Sequence, residues 1–230
     1  SALVKTRATD PAWRWLQAFG LIHGMNEWLE ALTFSWAQVP LVVAVRTTLL
    51  LVSFLVLLEF GRRGVPPHFI LRRWIYIPAL IAAATCLLPD NAMLIRYGLG
   101  LPASALAAWT LWVAGRNHKG EARQFHLMAV MFVLYAFFAG LVVPPGGPGL
   151  ARWLNTDTFL QLTGVPVQIF RMLAMTVVAF ALWHITLQRL VQQDAASRSR
   201  PLPLYVRNLV FLLLALLMIG GFVTWQAGKQ

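Results

Sequence analysis

The sequence predicts an all-α membrane protein, a polytopic transmembrane helical bundle of about seven spans. Its 230 residues are 59% hydrophobic and only 12% charged, whereas about a quarter of the residues in an average soluble domain are charged. The apolar residues form blocks close to the roughly twenty residues that cross the ~30 Å hydrocarbon core of a bilayer. Because these blocks lack the two-residue alternation of a membrane β-barrel, helices are the structure that satisfies their backbone hydrogen bonds inside lipid.

The predicted spans are separated by short polar or Pro/Gly-rich connectors. The first six form a membrane-embedded bundle within residues 1–191, at about 13–36, 40–60, 74–88, 92–114, 125–143 and 159–190. A polar segment at 192–204 reads as a cytoplasmic linker, and the last apolar block at 205–230 predicts a final helix that runs outward.

The basic residues predict that the N-terminus is cytoplasmic. With this orientation, fourteen Lys and Arg side chains fall in cytoplasmic segments and two, Arg152 and Lys229, fall outside. Cytoplasmic loops of membrane proteins carry an excess of Lys and Arg, which favours this orientation over its inverse. The formal net charge of +11 therefore indicates topology and contact with anionic membrane lipids, and we predict no nucleic-acid partner. The expected location is a membrane that borders the cytoplasm, which the chain crosses in multiple passes.

Charged residues inside the predicted spans are candidates for function, because ionisable groups are costly at membrane depth. They are Glu27, Glu30, Arg46, Arg96 and Arg171. His23 joins them, since a spacing of four and then three residues puts it on the same helix face as the two glutamates. All five charges fall at a similar depth in the outer half of the bilayer. They predict a polar pocket that opens outward and suits a small ligand that is anionic or carries a carbonyl group.

Two other interpretations of these charges remain open. In the first, they are interhelical ion pairs that only hold the bundle together, with Arg96 extending to the headgroups. In the second, the first helix, which is the least apolar, lies in the membrane interface with its charges in contact with water.

Two prolines predict breaks at the depth of the charges. Pro166, preceded by Gly164, should kink the sixth helix or begin it anew, and Pro102 should do the same in the fourth helix. Membrane proteins build binding sites from the backbone groups that such breaks expose, and Gln168 and Arg171 follow the first break directly. The predicted ligand-binding residues are therefore His23, Glu27, Glu30, Arg46, Arg96, Gln168 and Arg171.

The chain has no recognisable catalytic constellation, so we predict no catalytic residue, no metal ligand and no cofactor. Its single cysteine, Cys86, excludes an internal disulfide and a cysteine-based metal cluster. Haem bound by His23, His126 or His184 is a weaker alternative. Any enzymatic activity would belong to a longer parent protein.

Three segments resemble a known family. The segment Phe19–Glu30, FGLIHGMNEWLE, is similar to an FGLxHGxxEW motif in the N-terminal membrane region of bacterial sensor proteins. The proline-rich segment Ala139–Asn155 and the segment Thr163–Arg171, TGVPVQIFR, resemble the outer loop and the GxPVQxxR helix of the same region. The resemblance extends from about residue 13 to residue 190. The motif residues carried over by position are His23, Glu27, Trp28, Gln168 and Arg171.

The resemblance implies a sensory input module joined to a histidine kinase of a two-component system or to a cyclic-di-GMP enzyme such as a diguanylate cyclase. It also implies a multi-pass location in the bacterial cytoplasmic (inner) membrane and a homodimer formed through the parent protein. The chain departs from the family pattern because it contains no output domain and its last predicted helix runs outward. If the parent protein is longer, an extracellular domain and a further span would have to precede any cytoplasmic output domain. The alternatives are a small integral-membrane transporter or transporter subunit, and an intramembrane haem or quinone protein.

Overall fold

The described structure is helical, which confirms the predicted all-α class. The computed structural model describes residues 11–33, 39–66, 71–77, 91–145 and 149–194. Apart from turns and one isolated bridge between Val143 and Asn155, these ranges contain helices. The last predicted span, the linker after Asp194 and most of the predicted third span, with Cys86, lie outside the described residues.

We number the helices of the described residues α1 to α7. They are α1 (Trp13–Leu32), α2 (Pro40–Gly64), the short α3 (Leu71–Trp74), α4 (Asn91–Ile95, a π-helical segment Arg96–Gly100, and Leu101–Asn117), α5 (Ala122–Tyr135 and a π-helical segment Ala136–Leu141), α6 (Thr156–Thr163) and α7 (Val167–Asp194). Short 3-10 turns occur at Lys119–Glu121 and Gly149–Arg152.

Four helices in the described part of the chain are long and apolar enough to cross a membrane. They cover Pro40–Gly64, Ala92–Asn117, Lys119–Leu141 and Val167–Arg189. The helix α1 has 20 residues but is not one of the four, because its histidine, asparagine and glutamates lower its hydropathy.

The helices α1 and α2 pack antiparallel. At one end of the pair, Arg46 of α2 lies 3.0 Å from the carboxylate of Glu30 of α1. At the other end, the guanidinium of Arg63 lies 5.0 Å from the ring centroid of Trp15. Contacts at both ends, with His23 buried between them, make α1 part of the bundle. This packing argues against the interpretation in which the first helix lies alone in the membrane interface.

The helices α2 and α4 run in the same direction. The ring of Phe54 lies against Gly100, where an added Cβ would be 2.8 Å from its nearest atom. Further along both helices, the Thr110 hydroxyl donates to the carbonyl oxygen of Gly61 at 3.0 Å. Because the two helices are parallel, the end of α2 and the start of α4 lie at opposite ends of the bundle.

The helix α5 runs antiparallel to both α4 and α7. Gly140, near the end of α5, lies against Leu101 of α4. At the start of α5, Glu121 pairs with Arg189 of α7 at 2.7 Å. Large side chains fill the space between the helices. The most fully buried include Phe19, Phe54, Phe60, Phe125, Phe132 and Tyr135.

Basic residues gather at one end of the bundle, which we call the basic end. At this end α1 and α5 begin, and α2, α4 and α7 end. The rings of Trp13 and Phe125 stack with centroids 5.7 Å apart, which joins the starts of α1 and α5. The basic residues of these termini are Arg14, Arg62, Arg63, Arg116, Lys119, Arg123 and Arg189. The opposite end holds Arg152 and Asp157.

The helix predicted at 159–190 is divided into α6 and α7. Gly164 ends α6 in a left-handed conformation, with φ of 68°, which costs glycine little because it has no Cβ. Pro166 follows, and α7 begins anew at Val167, one of the two outcomes predicted from the sequence. In the fourth helix, Pro102 does not end the helix. It follows a π-helical segment, Arg96–Gly100, and the α-helix continues from Leu101 to Asn117.

Candidate functional site

Seven polar side chains lie in the interior where α1, α2, α4, α5 and α7 meet. This polar cluster consists of His23, Asn26, Glu27, Ser53, Arg96, Tyr135 and Arg171. All except Glu27 are at most 5% exposed. Polar groups removed from water cost free energy unless they find hydrogen-bond partners, so the contacts of each residue decide what the cluster can do.

Both ring nitrogens of His23 form hydrogen bonds. Its Nδ1 lies 3.0 Å from Ser53 Oγ, and its Nε2 lies 2.5 Å from the Tyr135 hydroxyl. The Ser53 hydroxyl donates to the carbonyl oxygen of Leu50 at 2.8 Å, so its oxygen accepts from Nδ1–H of His23. Nε2 then accepts from Tyr135 O–H. Each polar group in this chain of bonds therefore has a partner.

Aromatic rings enclose the imidazole of His23. The centroids of Phe19, Phe54 and Tyr135 lie 5.1, 5.5 and 5.8 Å from the imidazole centroid. Phe19 stacks on the ring, while Tyr135 meets it edge to face. These contacts fix the orientation of the imidazole and keep water from its faces.

Glu27 lies one turn after His23 and retains unused acceptor capacity. Its Oε1 is 3.4 Å from His23 Nε2, yet this buried oxygen has no hydrogen-bond partner among the described residues. The carboxylate also interacts electrostatically with Arg96 and Arg171. Within the described ranges, neither guanidinium comes within the 4.0 Å of an ion pair with Glu27. The carboxylate therefore faces three cationic or potentially cationic groups without being fully bonded to any of them.

Arg96 and Arg171 bind the same stretch of backbone. Arg171 donates from Nε to the carbonyl oxygen of Phe138 at 2.7 Å and from Nη2 to that of Val142 at 2.8 Å. Arg96 donates from Nη1 to the carbonyl oxygen of Ala139 at 3.2 Å. These carbonyls belong to the π-helical end of α5 and the residue after it, where the last carbonyls of a helix lack intrahelical partners. The Nε of Arg96 is buried and has no partner within the described part of the chain.

The remaining predicted site residues lie beside this cluster. Glu30 and Arg46 form a partly exposed interhelical ion pair of 3.0 Å, as the ion-pair interpretation predicts. Arg96 is 5% exposed and bonded to backbone, so it does not extend to the headgroups. Gln168 is half-buried in the first turn of α7. The structure thus brings together His23, Glu27, Arg96 and Arg171 of the seven predicted residues.

Three members of the cluster were not among the predicted site residues. Asn26 lies three residues after His23, a spacing that places both on one helix face. Ser53 is the only serine in the run of apolar residues at 49–58, and Tyr135 is one of four tyrosines in the chain. For Ser53 and Tyr135, the signal in the sequence is an isolated hydroxyl group inside an apolar span.

The three histidines proposed as haem ligands have different surroundings. His184 Nδ1 lies 3.0 Å from Gln124 Nε2, while the ring of His126 lies against Trp112, with centroids 4.4 Å apart and an interplanar angle of 33°. Both nitrogens of His23 are occupied by protein groups. The described residues contain no group of three or more His, Cys, Asp or Glu side chains that could hold a metal ion. The haem alternative stays a prediction.

Comparison with protein-family models, with curated proteins and with solved structures finds no match to this chain. Function is therefore inferred from the polar cluster and from the sequence motifs that supply its residues.

Proposed function

We propose that the chain is the membrane-embedded input module of a bacterial signal-transduction protein, a histidine kinase or a cyclic-di-GMP enzyme, and that the polar cluster receives the signal. The observation that carries this proposal is the convergence of three motifs. His23 and Glu27 come from the first motif, Ala139 from the second and Arg171 from the third, and all lie at or against one buried cluster.

The contacts between the motifs are polar and specific. Arg171 donates to Val142 of the second motif, and it interacts electrostatically with Glu27 of the first. A bundle that needed only to be stable could use apolar residues here, because replacing buried ion pairs with packed hydrophobic groups is often neutral or stabilising. Buried charges with unused hydrogen-bonding capacity instead favour a role in binding.

The proposed topology is seven spans in the cytoplasmic (inner) membrane, with the N-terminus and the basic end in the cytoplasm. The collection of basic residues at one end supports this orientation. The parallel arrangement of α2 and α4 supports a further span between them, since the chain leaves α2 at one end of the bundle and enters α4 at the other.

The helix α7 is the proposed output element. Arg171 lies in its second turn, and Arg189 pairs with Glu121 at the basic end, about 27 Å away along a helix that rises 1.5 Å per residue. A small anionic or carbonyl-bearing ligand would compete with the carbonyl groups of Phe138 and Val142 for Arg171. Binding would then loosen the start of α7 from α5 and shift the equilibrium between two positions of α7.

The test is the substitution Glu27→Gln in the complete protein in its own bacterium. The amide keeps the size of the side chain and removes the charge that faces Arg96 and Arg171. The readouts are response-regulator phosphorylation and the cellular cyclic-di-GMP level, compared with Asp157→Asn, which removes an exposed carboxylate at the same end of the bundle. We expect Glu27→Gln to change at least one readout severalfold and Asp157→Asn to leave both unchanged.

Unchanged readouts in a Glu27→Gln protein that reaches the membrane at the normal level would count against a sensory role. Substrate flux in proteoliposomes that depends on Glu27 would instead identify the protein as a transporter.

A further inference from the structure

A groove at the basic end is separate from the polar cluster. Its volume is about 320 Å³, and it is lined by Trp15, Val52, Leu55, Val56, Glu59, Arg63 and Tyr76. We propose that this groove binds an anionic phospholipid of the leaflet at the basic end, with an acyl chain along α2 and the headgroup at Arg63. This inference does not rest on what the polar cluster senses.

The groove is apolar at one end and charged at the other, as one leaflet of a bilayer is. Its α2 residues, Val52, Leu55, Val56, Glu59 and Arg63, follow one another at spacings of one, three or four residues and therefore share a helix face. The face is apolar toward the middle of the bundle and charged toward the basic end. From its first to its last residue it extends about 16 Å at 1.5 Å per residue, close to half of the ~30 Å hydrocarbon core. An acyl chain of one leaflet matches this length.

The polar end of the groove carries more positive than negative charge. Glu59 Oε1 accepts hydrogen bonds from Arg62 Nη2 at 2.8 Å and Arg63 Nε at 2.7 Å, and Oε2 accepts from Arg62 Nε at 2.5 Å and the Tyr76 hydroxyl at 2.8 Å. Two guanidinium groups thus share one carboxylate, whose two oxygens are fully used as acceptors. A ligand at this end meets surplus positive charge, which favours an anionic headgroup over a zwitterionic one.

Two donors remain for the headgroup. Arg63 uses Nε for Glu59, and its terminal nitrogens form no hydrogen bond within the described ranges, while its side chain is 35% exposed. Trp15 Nε1 is buried and has no partner among the described residues. The guanidinium groups of Arg63 and Arg14 lie 5.0 and 5.8 Å from the Trp15 ring and hold the indole by cation–π contacts. A phosphate oxygen that accepts from Arg63 and Trp15 would satisfy both donors.

The experiment compares phosphatidylglycerol with phosphatidylcholine on the full chain, purified and delipidated in a neutral detergent. Native mass spectrometry measures lipid retention, and thermal unfolding measures the Tm shift. We expect phosphatidylglycerol to be retained preferentially and to raise Tm more. Arg63→Gln should weaken its binding about fivefold, which corresponds to the loss of one favourable basic contact with an anionic lipid. Arg116→Gln removes an exposed cation at the same end but outside the groove, and should keep the preference.

Two further variants separate lipid binding from folding. Trp15→Phe keeps an aromatic ring and removes the Nε1–H donor to the phosphate that both lipids carry, so it should reduce retention of both. Val56→Trp fills the apolar part of the groove and should reduce retention of both lipids. Equal retention of the two lipids by the unsubstituted chain would overturn the proposal. An unchanged preference in folded Arg63→Gln would also overturn it. Where that variant does not fold, unchanged retention of both lipids in Trp15→Phe and in Val56→Trp would do so. Glu27→Gln should keep the lipid preference whether or not it alters signalling.

Discussion

At the scale of single residues, His23 shows how a titratable side chain is accommodated inside an apolar bundle. The Ser53 hydroxyl is committed to the carbonyl oxygen of Leu50, so it accepts from Nδ1–H, and Nε2 is left to accept from Tyr135. Both ring nitrogens therefore have hydrogen-bond partners other than Glu27. The nearby carboxylate is therefore available for another partner.

Tyr135→Phe should destabilise the protein by about 1–3 kcal/mol, the usual cost of leaving a buried acceptor without its partner. The substitution removes only the hydroxyl that donates to His23 Nε2. Tyr97→Phe is the matched control, because the Tyr97 hydroxyl makes a long bond of 3.4 Å to Leu141 in a half-buried position. Unfolding in detergent measures both variants. Equal losses for the two tyrosines would contradict the assigned role of the Tyr135–His23 bond.

Arg171→Lys should destabilise the protein by about 1.5–3 kcal/mol, since hydrogen bonds to charged groups are worth that much. Lysine keeps the positive charge, but its compact ammonium group lacks the planar fork that reaches two carbonyl groups at once. Arg152→Lys, at an exposed position of the opposite end, should change little. The measurement is again unfolding in detergent, and an Arg171→Lys variant as stable as the unsubstituted chain would show that charge alone holds α7.

At the scale of elements, the two π-helical segments bring α4 and α5 into close contact. A Cβ added to Gly140 would lie 2.9 Å from the Cα and Cβ atoms of Leu101, too close for the backbone of α4 to accommodate without moving. Gly140→Ala should therefore destabilise the bundle by about 1–3 kcal/mol, the usual cost of overpacking. Gly98→Ala is the control, because Gly98 has open space around its Cβ position and alanine favours a helix by about 0.5–1 kcal/mol over glycine. Thermal unfolding should separate the two variants in opposite directions.

The helices themselves were largely predictable from the sequence, and their internal breaks only in part. The apolar blocks predict the starts of α1, α2, α4 and α5 to within three residues, because the thickness of the hydrocarbon core fixes how many apolar residues a span needs. The break before α7 was predictable from Gly164 and Pro166, whose backbone preferences are local. The π-helical segment Ala136–Leu141 has no proline and no comparable local signal. Its geometry depends on the close approach of α4 and on the arginines that bind its carbonyl groups.

At the scale of the whole molecule, the sequence predicts a depth for the candidate site, which stays a prediction, and it does not predict the lateral arrangement of the site. Counting residues from the ends of the spans placed Glu27, Glu30, Arg46, Arg96 and Arg171 at one level. Which of these side chains meet depends on the order of the helices around the bundle. That order, including the parallel packing of α2 and α4, is set by tertiary contacts and not by the length or charge of each span. The structure accordingly pairs Glu30 with Arg46 at one side and leaves Glu27 facing Arg96 and Arg171.

The orientation of the whole molecule can be tested with single cysteines. Cys86 is the only cysteine of the sequence, so Cys86→Ser provides a background without thiols. Trp153→Cys places a thiol at the opposite end of the bundle, where the side chain is 76% exposed, and Lys119→Cys places one at an exposed position of the basic end. An excess of Lys and Arg marks the cytoplasmic side. A membrane-impermeant maleimide should therefore label the first variant in spheroplasts, and the second only after the cytoplasmic membrane is permeabilised. The reverse labelling pattern would place the basic end outside, and with it the groove at Arg63, while labelling of both variants in intact spheroplasts would rule out a bundle that spans the membrane between them.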